Sequence, residues 1–472
     1  MHADSARFPD NVTAARRDPM LLGALQRLQR DARAGRAEVI ARLPEFEALR
    51  DAAREIRNGA LANLAANLER FEENVIANGG AVHWCRDAAE AGAAVTRICR
   101  EAGARTVAKG KSMVSEEIAL NAALLGAGFD VVETDLGEYV LQLRDETPSH
   151  IVIPAIHLTK DQFAETFRDA HDALPEDRSL EEARAITDEA RGALRDVFLR
   201  ADVGITGANF LIAETGSVVI VTNEGNGDLA QSLPRTHIVV TGIEKALGTV
   251  EEALTLVRVL ARSATGQEIS AYTTFATGAR RADDAAGPEA FHVVLVDNGR
   301  SDLLGGPKRE ILRCIRCGAC QTVCPVYGAV GGHAYGAVYA GPVGSVLTPA
   351  LSGLETAKHL PEASSFCGAC EAVCPVRIPL PRLLRLWRQD AFQAHLGPTA
   401  LRWGLFAWSA LTAWPGAYRA AGAIGGRVLR LLAMGRPRLA RLPFAGKWTG
   451  GRDLPVPEGG TFVGQWHRRR GK

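Results

Sequence analysis

Apolar residues recur at helical spacing in the first part of the chain. Between residues 18 and 75 the sequence is rich in Ala, Arg, Leu and Glu, and its apolar positions repeat every three to four residues, as in LLGALQRLQR and ALANLAANLERFEENVIANGG. The pattern stops at Gly79 and Gly80, which are typical helix-ending residues. It predicts an N-terminal helical segment over residues 1–77.

Short apolar runs that alternate with helical stretches follow this segment. One helix is predicted in DAAEAGAAVTRICREAG, capped by Asp87 and closed by Gly103, and another in SEEIALNAALLGAG. Strands that alternate with helices predict a mainly parallel sheet covered on both faces, in an α/β domain over residues 78–300. The predicted strands are AVHWC, RTVAKGKS, FDVVETDL, EYVLQL, HIVIPAI, FLIAETGSVVIVTN, THIVVTGIE and FHVVLVDNG.

A cysteine-rich domain is expected over residues 301–395, and a helical region with a Pro/Gly-rich tail over residues 396–472. Gly and Pro are dense between residues 326 and 353, which predicts an irregular loop, whereas LPRLLRLWRQDAFQAHL predicts a helix. The apolar stretch WGLFAWSALTAW, Trp403 to Trp414, is shorter than the ~20 residues that a membrane span needs. It is interpreted as a core helix or, alternatively, as a docking surface for a membrane or a partner.

Composition narrows the function classes. The 472 residues leave room for two or three domains, and 47% hydrophobic with 23% charged residues is typical of a packed globular protein. The 55 basic and 54 acidic residues leave a net charge of +1, which argues against a nucleic-acid-binding protein. The start MHADSARFPDNVTAARRDP lacks the apolar core of a secretory signal, so a cytoplasmic protein is expected. The basic end, His467 to Arg470, is interpreted as a solvated terminus.

Seven of the nine cysteines lie in two runs, CIRCGACQTVCP at residues 314–325 and SSFCGACEAVCP at residues 364–375. The first run has the spacing of bacterial ferredoxins, in which the cysteine before proline ligates the other cluster. Two iron–sulfur clusters are therefore predicted, each with one ligand from the other run. The predicted ligands are Cys314, Cys317, Cys320 and Cys374 for cluster 1, and Cys324, Cys367 and Cys370 for cluster 2.

The second run lacks an eighth thiolate, because Ser364 stands where the spacing calls for a cysteine. Ser364 could ligate through its oxygen, a remote group could reach in, or the site could hold a [3Fe–4S] cluster or a cube with one open iron. Zinc is the alternative metal, although zinc sites seldom show this spacing. The other two cysteines, Cys85 and Cys99, lie in an apolar strand and a helix and are interpreted as buried, inert thiols.

Polar residues near the ends of predicted strands are candidates for a ligand pocket in the α/β domain, because such loops form the crevice of an open α/β sheet. The competing interpretation is turn glycines and solvated charges. The pocket candidates are Glu214, Asn223, Glu224 and Lys245. A second candidate is an anion site at the start of a helix, where two lysines precede two glutamates. Its residues are Lys109, Lys111, Glu116 and Glu117.

Three histidines are weighed as functional residues. His150 and His157 flank a predicted apolar strand and are interpreted as satisfied core or edge residues. His333 lies between the two cysteine runs, where it could tune a cluster potential through a hydrogen bond to sulfur.

The chain resembles the lactate-utilisation protein B family, the iron–sulfur subunit of the bacterial L-lactate utilisation system. The likeness is carried by CIRCGACQTVCPVY, GGHAYGAVYAGPVGSVLTP and CGACEAVCPVRIPLP, and upstream by GKSMVSEEIALN, VVETDLGEYVLQL, PSHIVIPAIH and GITGANFLIAETGSVVIVTNEGN. It covers nearly the whole chain from about residue 20. The resemblance implies an α/β domain related to sugar-phosphate isomerases and CoA transferases, followed by a two-cluster ferredoxin-like domain. Family members carry seven cysteines in this arrangement too.

The resemblance implies electron transfer during oxidation of L-lactate to pyruvate, beside two partner subunits, through clusters usually assigned as [4Fe–4S]. No G-x-G-x-x-G motif lies between a predicted strand and helix, so hydride chemistry is expected elsewhere. An electron carrier for another 2-hydroxy acid, such as glycolate, is the first alternative. A catalytic transferase or isomerase domain with regulatory clusters is the second, and it would be sensitive to Glu214→Gln.

Overall fold

The computed structural model describes residues 5–175, 177–443, 445–458 and 460–471. The chain separates into two compact units, Met1–Ala391 and Phe392–Lys472. The fold class is mixed α/β, as the sequence predicts, with N-terminal helices, a parallel-sheet domain, a cysteine-rich domain and C-terminal helices. The four domain boundaries drawn from the sequence stay predictions.

The N-terminal helices form where the apolar spacing places them. Asp18 caps the longest of them by accepting hydrogen bonds from the amides of Met20 and Leu21, and Pro19 occupies its first turn. Gly79, at a φ of 77°, follows the last helix in the left-handed conformation that glycine tolerates. The helices are α1 (Phe8–Ala15), α2 (Pro19–Ala41), α3 (Phe46–Ala62) and α4 (Leu64–Ala77).

A parallel sheet forms the centre of the α/β domain. Its strand order is β1-β10-β7-β4-β2-β3, and every neighbouring pair is parallel. All residues of β7 are buried, as expected for a central strand covered on both faces. The strands are β1 (Ala81–Cys85), β2 (Thr106–Lys109), β3 (Asp130–Glu133), β4 (Val203–Thr206), β7 (Thr236–Gly242) and β10 (Ala290–Val296).

A smaller mixed sheet packs in the same domain. The predicted hairpin FLIAETGSVVIVTN is confirmed, but it belongs to this second sheet rather than to the parallel one. Gly216 turns the hairpin at a φ of 67°, and a Cβ there would lie 2.6 Å from the backbone of Asn74. The order is β8-β5-β6-β9, from β5 (Phe210–Ile212), β6 (Ser217–Thr222), β8 (Ala246–Leu247) and β9 (Tyr272–Ala276).

Helices connect the strands. Asp87 caps α5 by accepting the Glu90 amide, which confirms the predicted start of that helix. The helix predicted in SEEIALNAALLGAG is split in two, because Ala119 adopts a left-handed conformation between α6 and α7. The helices are α5 (Ala88–Glu101), α6 (Met113–Glu117), α7 (Leu120–Gly126), α8 (Leu136–Leu143), α9 (Lys160–Ala170), α10 (Ala183–Arg200), α11 (Asn226–Ser232), α12 (Val250–Ala264) and α13 (Arg300–Leu304).

Two of the predicted strands are wrong. EYVLQL lies in α8, because Asp135 accepts the amides of Gly137 and Glu138 and so starts a helix. HIVIPAI forms turns rather than a strand. The His150 ring nitrogen accepts hydrogen bonds from the backbone amides of Val152 and Ile153, and a strand would need these amides for pairing with its neighbour. In these two sheets, the sequence analysis did not predict β4, β8 and β9.

The cysteine-rich domain is mostly short helices. The predicted irregular loop is wrong in part, because it contains the buried helix α16. Small residues permit its close packing: a Cβ on Gly344 would lie 1.8 Å from the Tyr339 carbonyl oxygen. The helices are α14 (Ala319–Val323), α15 (Tyr327–Val330), α16 (Gly341–Ser352), α17 (Leu354–Ala357), α18 (Ala369–Val373) and α19 (Leu380–Gln393).

The second unit exposes its apolar residues. The core-helix interpretation of WGLFAWSALTAW is wrong, because α20 buries none of its residues and Trp403 and Phe406 are each 67% exposed. Within the described part of the chain, no helix combines the length and the apolar character needed to cross a membrane. The elements are α20 (Thr399–Thr412), α21 (Pro415–Ala433), β11 (Arg438–Leu439), α22 (Gly446–Thr449), β12 (Leu454–Pro455) and α23 (Phe462–Arg470).

Candidate functional site

Four cysteines from both runs line one buried cavity. Three come from the first run and the fourth is the last cysteine of the second, which the turn before Pro375 carries across to them. Apolar side chains such as Ile151 and Val343 form most of the remaining wall, and Arg316 also contributes to it. The four cysteines are Cys314, Cys317, Cys320 and Cys374.

The remaining three cysteines of the runs form a second group. Burial, followed by the nearby Cys324 and Cys367 thiols, raises the pKa of Cys370 to about 12. Cys324 and Cys370 are buried, whereas Cys367 is exposed. One group therefore lies inside the protein and the other reaches its surface.

Ser364 occupies the position in the second run that Cys314 occupies in the first. The Arg316 amide donates to the Cys314 sulfur at 3.4 Å, and the Phe366 amide donates to the Ser364 hydroxyl at 3.2 Å. Both loops turn through the same pair of left-handed residues. Their φ angles are 59° at Arg316, 73° at Gly318, 54° at Phe366 and 81° at Gly368.

These loops fit iron–sulfur clusters. Besides the Cys314 sulfur, those of Cys324 and Cys374 accept amide hydrogens, from Tyr327 at 3.5 Å and Ile378 at 3.3 Å. Hydrogen bonds to sulfur stabilise the negative charge that thiolate ligands and bridging sulfides carry. The donor set, the four-cysteine cavity and the amide hydrogens thus agree with each other.

A larger cavity of about 530 Å³ lies in the α/β domain at the carboxyl ends of β2, β4 and β7. Asn223, Glu224 and Lys245 line it, together with Lys111. Glu214 does not line it, because its carboxylate accepts the Val250 amide at 2.7 Å and caps α12 instead.

Lys245 and Arg316 both line this cavity. Lys245 is only 5% exposed, and burial, followed by the Arg316 charge, lowers its pKa to about 7. Among the described residues, no hydrogen-bond or ion-pair partner meets its Nζ. Arg316 and Ile151 line both this cavity and the four-cysteine cavity, so the two cavities share part of their lining.

Comparisons with known proteins agree with this organisation. The LUD domain model matches residues 68–296, and the 4Fe-4S dicluster domain model matches residues 310–378. Lactate utilization protein B of Geobacillus thermodenitrificans is 43% identical over 100% of this chain and 98% of its own length. The protein of that name from Macrococcus caseolyticus is 41% identical over the same shares. The chain belongs to the lactate utilization protein B family.

Two further proteins are similar to this family member. An uncharacterized electron transport protein of Escherichia coli (strain K12) is 40% identical over 96% of this chain and 95% of its own. A crystal structure of a DUF162 family protein from Deinococcus radiodurans covers 49% of this chain and 98% of its own, at 19% identity and a TM-score of 0.29.

In this lactate utilization protein B family member, one face of α2 holds the cysteine loops. Three side chains spaced four and three residues apart donate to main-chain carbonyls next to the cysteines. Gln29 donates to Cys324 at 2.8 Å. The other bonds run from Arg33 to Thr322 and Val323, at 3.3 and 3.1 Å, and from Arg36 to Val373 at 3.0 Å.

Helix α3 continues the same contact. Arg50 donates to the carbonyls of Ala372 and Cys374, at 2.6 and 2.8 Å. Arg57, which is 1% exposed, donates to the carbonyl of Leu312 at 2.7 Å, just before the first cysteine run. We call α2 and α3, with these five donors, the helical clamp. Sequence reasoning missed it, although long polar donors at spacings of four and seven on predicted helices were its visible signal.

A buried ion network joins the α/β domain to the first cysteine loop. Arg300 pairs with Glu117 at 2.8 Å and with Glu244 at 2.6 Å, and Arg316 pairs with Glu244 at 3.3 Å. Burial alone would raise the pKa of Glu244, but Arg300 and Arg316 lower it to about 2. The Tyr339 hydroxyl donates to Glu117 at 2.7 Å and completes the network.

The predicted anion site at the start of α6 is wrong with respect to Lys109. The Lys109 ammonium is buried and pairs with Glu133 and with Glu116. Burial alone would lower its pKa, but these carboxylates raise it overall. The Glu116, Glu133 and Glu138 oxygens lie within 4.8 Å of one another, where Lys109 supplies the positive charge that a metal ion would. Burial, then Glu133, raises the pKa of Glu138 well above its ordinary value.

The histidines are held by local contacts. His157 bonds to Ser149 at 2.7 Å and to Glu146 at 2.9 Å, which uses both ring nitrogens. The ring of His150 is buried and accepts two backbone amides. His333 is exposed and donates to the Thr147 carbonyl at 2.7 Å rather than to a sulfur, so its predicted role is wrong.

The two cysteines outside the runs lie apart from the cysteine cavities. Cys85, at the end of β1, and Cys99, in α5, belong to one apolar cluster of mainly aliphatic side chains. Burial raises the pKa of Cys99 to about 12, which keeps the thiol protonated and unreactive at neutral pH.

Proposed function

We propose that this chain is the electron-transfer subunit of a lactate-utilisation system, active during oxidation of L-lactate to pyruvate. The observation that carries the proposal is the exchange of cysteines between the two runs: Cys374 joins the buried group, while Cys324 joins the group that reaches the surface at Cys367. Such an exchange brings two cluster sites close together, one inside and one accessible to a partner. The names of the relatives support the same role.

The proposed ligand sets follow from the grouping. Two [4Fe–4S] clusters would supply sites that accept and donate single electrons. The buried cluster takes four thiolates. The second cluster takes three thiolates and, as its fourth ligand, the Ser364 oxygen, because Ser364 repeats the geometry of Cys314. The sets are Cys314, Cys317, Cys320 and Cys374, and Cys324, Cys367, Cys370 and Ser364.

The chain's own residues then position and shield these sites. Main-chain amides donate to the thiolate sulfurs, and the helical clamp fixes the loops by holding their carbonyls. Apolar side chains such as Ile151 and Val343 keep water from the inner site, whose charge is met by the nearby Arg316 and Arg57 guanidiniums.

Partners are part of the proposal. Two further subunits would supply the lactate oxidation and pass on the electrons, in the cytoplasm. Residues 396–472 contain 13 Lys and Arg against two Asp and Glu, and α20 exposes Trp403, Phe406 and Trp408. We assign this basic, aromatic surface to an acidic face of a partner subunit. Sedimentation of the chain with vesicles of anionic lipid, in the absence of partners, would point instead to peripheral membrane contact.

Two alternatives have less support. The first is that the substrate is another 2-hydroxy acid, such as glycolate. To distinguish it from lactate, the rates at which the reconstituted complex reduces an artificial electron acceptor are compared with each acid as the electron donor. A transferase or isomerase activity loses its candidate group, because Glu214 caps α12 and does not line the cavity.

The test is iron and sulfide analysis with low-temperature EPR on anaerobically purified protein, oxidised and then reduced. We expect about eight irons per chain, as two [4Fe–4S] clusters require, and two interacting signals after reduction. Ser364→Ala should lose or alter the second signal alone. Ser352→Ala is the matched control, because the Ser352 hydroxyl bonds only to the Thr348 carbonyl of its own helix.

Other outcomes would overturn parts of the proposal. About seven irons with a signal in the oxidised protein would mean a three-iron second cluster. An unchanged spectrum in Ser364→Ala would remove Ser364 as a ligand. Zinc in place of iron would end the electron-transfer proposal.

A further inference from the structure

We propose that the 530 Å³ cavity of the α/β domain binds an organic monocarboxylate, with its carboxylate against Lys245 and Arg316. The proposal goes beyond electron transfer, because it assigns a ligand to a cavity that the relay itself does not use. The volume lies within the roughly 300–1,000 Å³ that small-molecule sites occupy.

Lys245 is the first reason to expect an anion. Lys245 is 5% exposed as a residue, and an ammonium at such a position without a partner among the described residues costs folding stability. It lines the 530 Å³ cavity but not the four-cysteine cavity, so its charge faces the place where a ligand would lie. A buried cation of this kind is explained by a ligand that neutralises it.

Arg316 provides the second donor. Its side chain is 10% exposed, one nitrogen, Nη2, pairs with Glu244, and Nη1 has no hydrogen-bond partner among the described residues. The guanidinium stacks over the Tyr339 ring at 4.9 Å, which fixes its plane. A fixed guanidinium beside an ammonium suits the two oxygens of a carboxylate.

The charge balance selects a single negative charge. Arg300 and Arg316 are balanced by Glu117 and Glu244 in the buried ion network. Lys111, Asp135 and Glu224 also line the cavity, and burial, followed by the Asp135 charge, raises the pKa of Glu224, an effect that the Lys111 charge opposes. Lys245 has no hydrogen-bond or ion-pair partner among the described residues, since the nearby Glu244 carboxylate already pairs with Arg300 and Arg316. The Asp135 and Glu224 carboxylates would repel a dianion such as phosphate.

The rest of the cavity lining favours a ligand with an organic body. They are formed mainly by aliphatic side chains, which would bury alkyl groups of the ligand. The aliphatic wall residues are Met113, Ile151, Ile220, Val221, Val240 and Leu260. Each methylene buried there should tighten binding about fourfold, which is the ~0.8 kcal/mol of a buried CH₂.

The alternative role of Lys245 is to balance the charge of the adjacent cysteine site. That role predicts no saturable binding of carboxylates, and a Lys245→Met variant that differs only in cluster properties. The binding experiment separates the two roles directly.

The experiment is anaerobic titration calorimetry of the full, cluster-loaded chain with acetate, butyrate, hexanoate, pyruvate and inorganic phosphate. We expect saturable binding of the carboxylates, tighter from acetate to hexanoate, and none of phosphate. Lys245→Met should weaken binding at least about tenfold, the value of a hydrogen bond to a charged group. Lys160→Met, the same change at an exposed lysine outside the cavity, should leave it unchanged.

Three results would overturn the proposal: no saturable binding of any carboxylate, equal affinity in wild type and Lys245→Met, or a preference for phosphate. Because Met fills the volume of the lysine stem without its charge, the variant should fold, and its circular dichroism and iron content are checked first. Failure here would leave the iron and EPR results of the proposed relay unaffected, so the two proposals fail separately.

Discussion

Replacement of Arg50 by Met tests the helical clamp. The methionine keeps the apolar stem and removes the guanidinium that binds the second cysteine loop. Arg50 donates twice to the Cys374 carbonyl, at 2.8 and 3.2 Å, and once to the Ala372 carbonyl at 2.6 Å. The change therefore takes all three bonds from a loop that carries a cluster ligand in the proposal.

The expected cost follows from the environment of the two carbonyls. The Cys374 carbonyl is buried, and leaving it without a donor costs about 1–3 kcal/mol. The bond to Ala372 is partly buried and contributes about 1 kcal/mol. Arg50→Met should thus reduce the free energy of unfolding by about 2–4 kcal/mol.

The matched control is Arg54→Met on the same helix. Arg54 is 38% exposed and pairs only with the exposed carboxylates of Asp51 and Glu55, so its loss should cost less than about 1 kcal/mol. Anaerobic urea unfolding is followed by circular dichroism and by the visible iron–sulfur absorbance, and the midpoints are compared at a common slope. Equal midpoint shifts in the two variants would refute the clamp as a source of stability.

Three further expectations concern other parts of the molecule. Tyr339→Phe removes a 2.7 Å bond to a buried carboxylate and should cost about 1.5–3 kcal/mol in urea unfolding; an unchanged midpoint would contradict the ion network. Because the pKa of Glu138 is raised on folding, the folded protein keeps a proton that the unfolded chain releases, so stability should fall as the pH rises above about 4.3. Glu138→Gln should flatten that profile above the ordinary glutamate pKa of about 4.3, and an identical slope would exclude Glu138 as its source. Gly204→Ala would place a Cβ 1.7 Å from the Ala230 carbonyl oxygen and should cost at least about 1–3 kcal/mol in urea unfolding. Gly59→Ala, in open space on α3, should be neutral or stabilising by up to about 1 kcal/mol in the same assay, and equal effects of the two changes would contradict the close packing at Gly204.

Local patterns carried most of the fold prediction. The strands β1, β2, β3, β7 and β10 were predicted because they are short apolar runs with clear ends. The start of α5 was predicted because Asp87 is a residue type that caps helices. The strand prediction for EYVLQL was wrong because six residues of this pattern fit both a strand and a helix. The capping carboxylate of Asp135 favours the helix. The buried helix α16 was not predicted because Gly and Pro usually indicate loops. Here the small residues instead allow the helix to pack closely against Tyr339.

The candidate site was predictable only where its residues are close in sequence. The cysteine runs reveal themselves by spacing. Lys245 and Arg316 are separated by some seventy positions, and only the packing of the first cysteine loop against the sheet edge shows that they share one cavity. Glu214 looked like a pocket residue because it follows a strand, but the turn at Gly216 directs it to cap a helix instead.

The helical clamp also sets an order for biogenesis. Its bonds join residues 295 positions apart for Gln29 and Cys324, and 324 positions apart for Arg50 and Cys374. During synthesis α2 and α3 leave the ribosome first, and their donors have no carbonyls to bind until the cysteine loops emerge. Contacts of such high sequence separation form late in folding. Metal loading therefore belongs to the last stage of the chain's maturation, because α2 and α3 can bind the cysteine loops only when the polypeptide is almost complete.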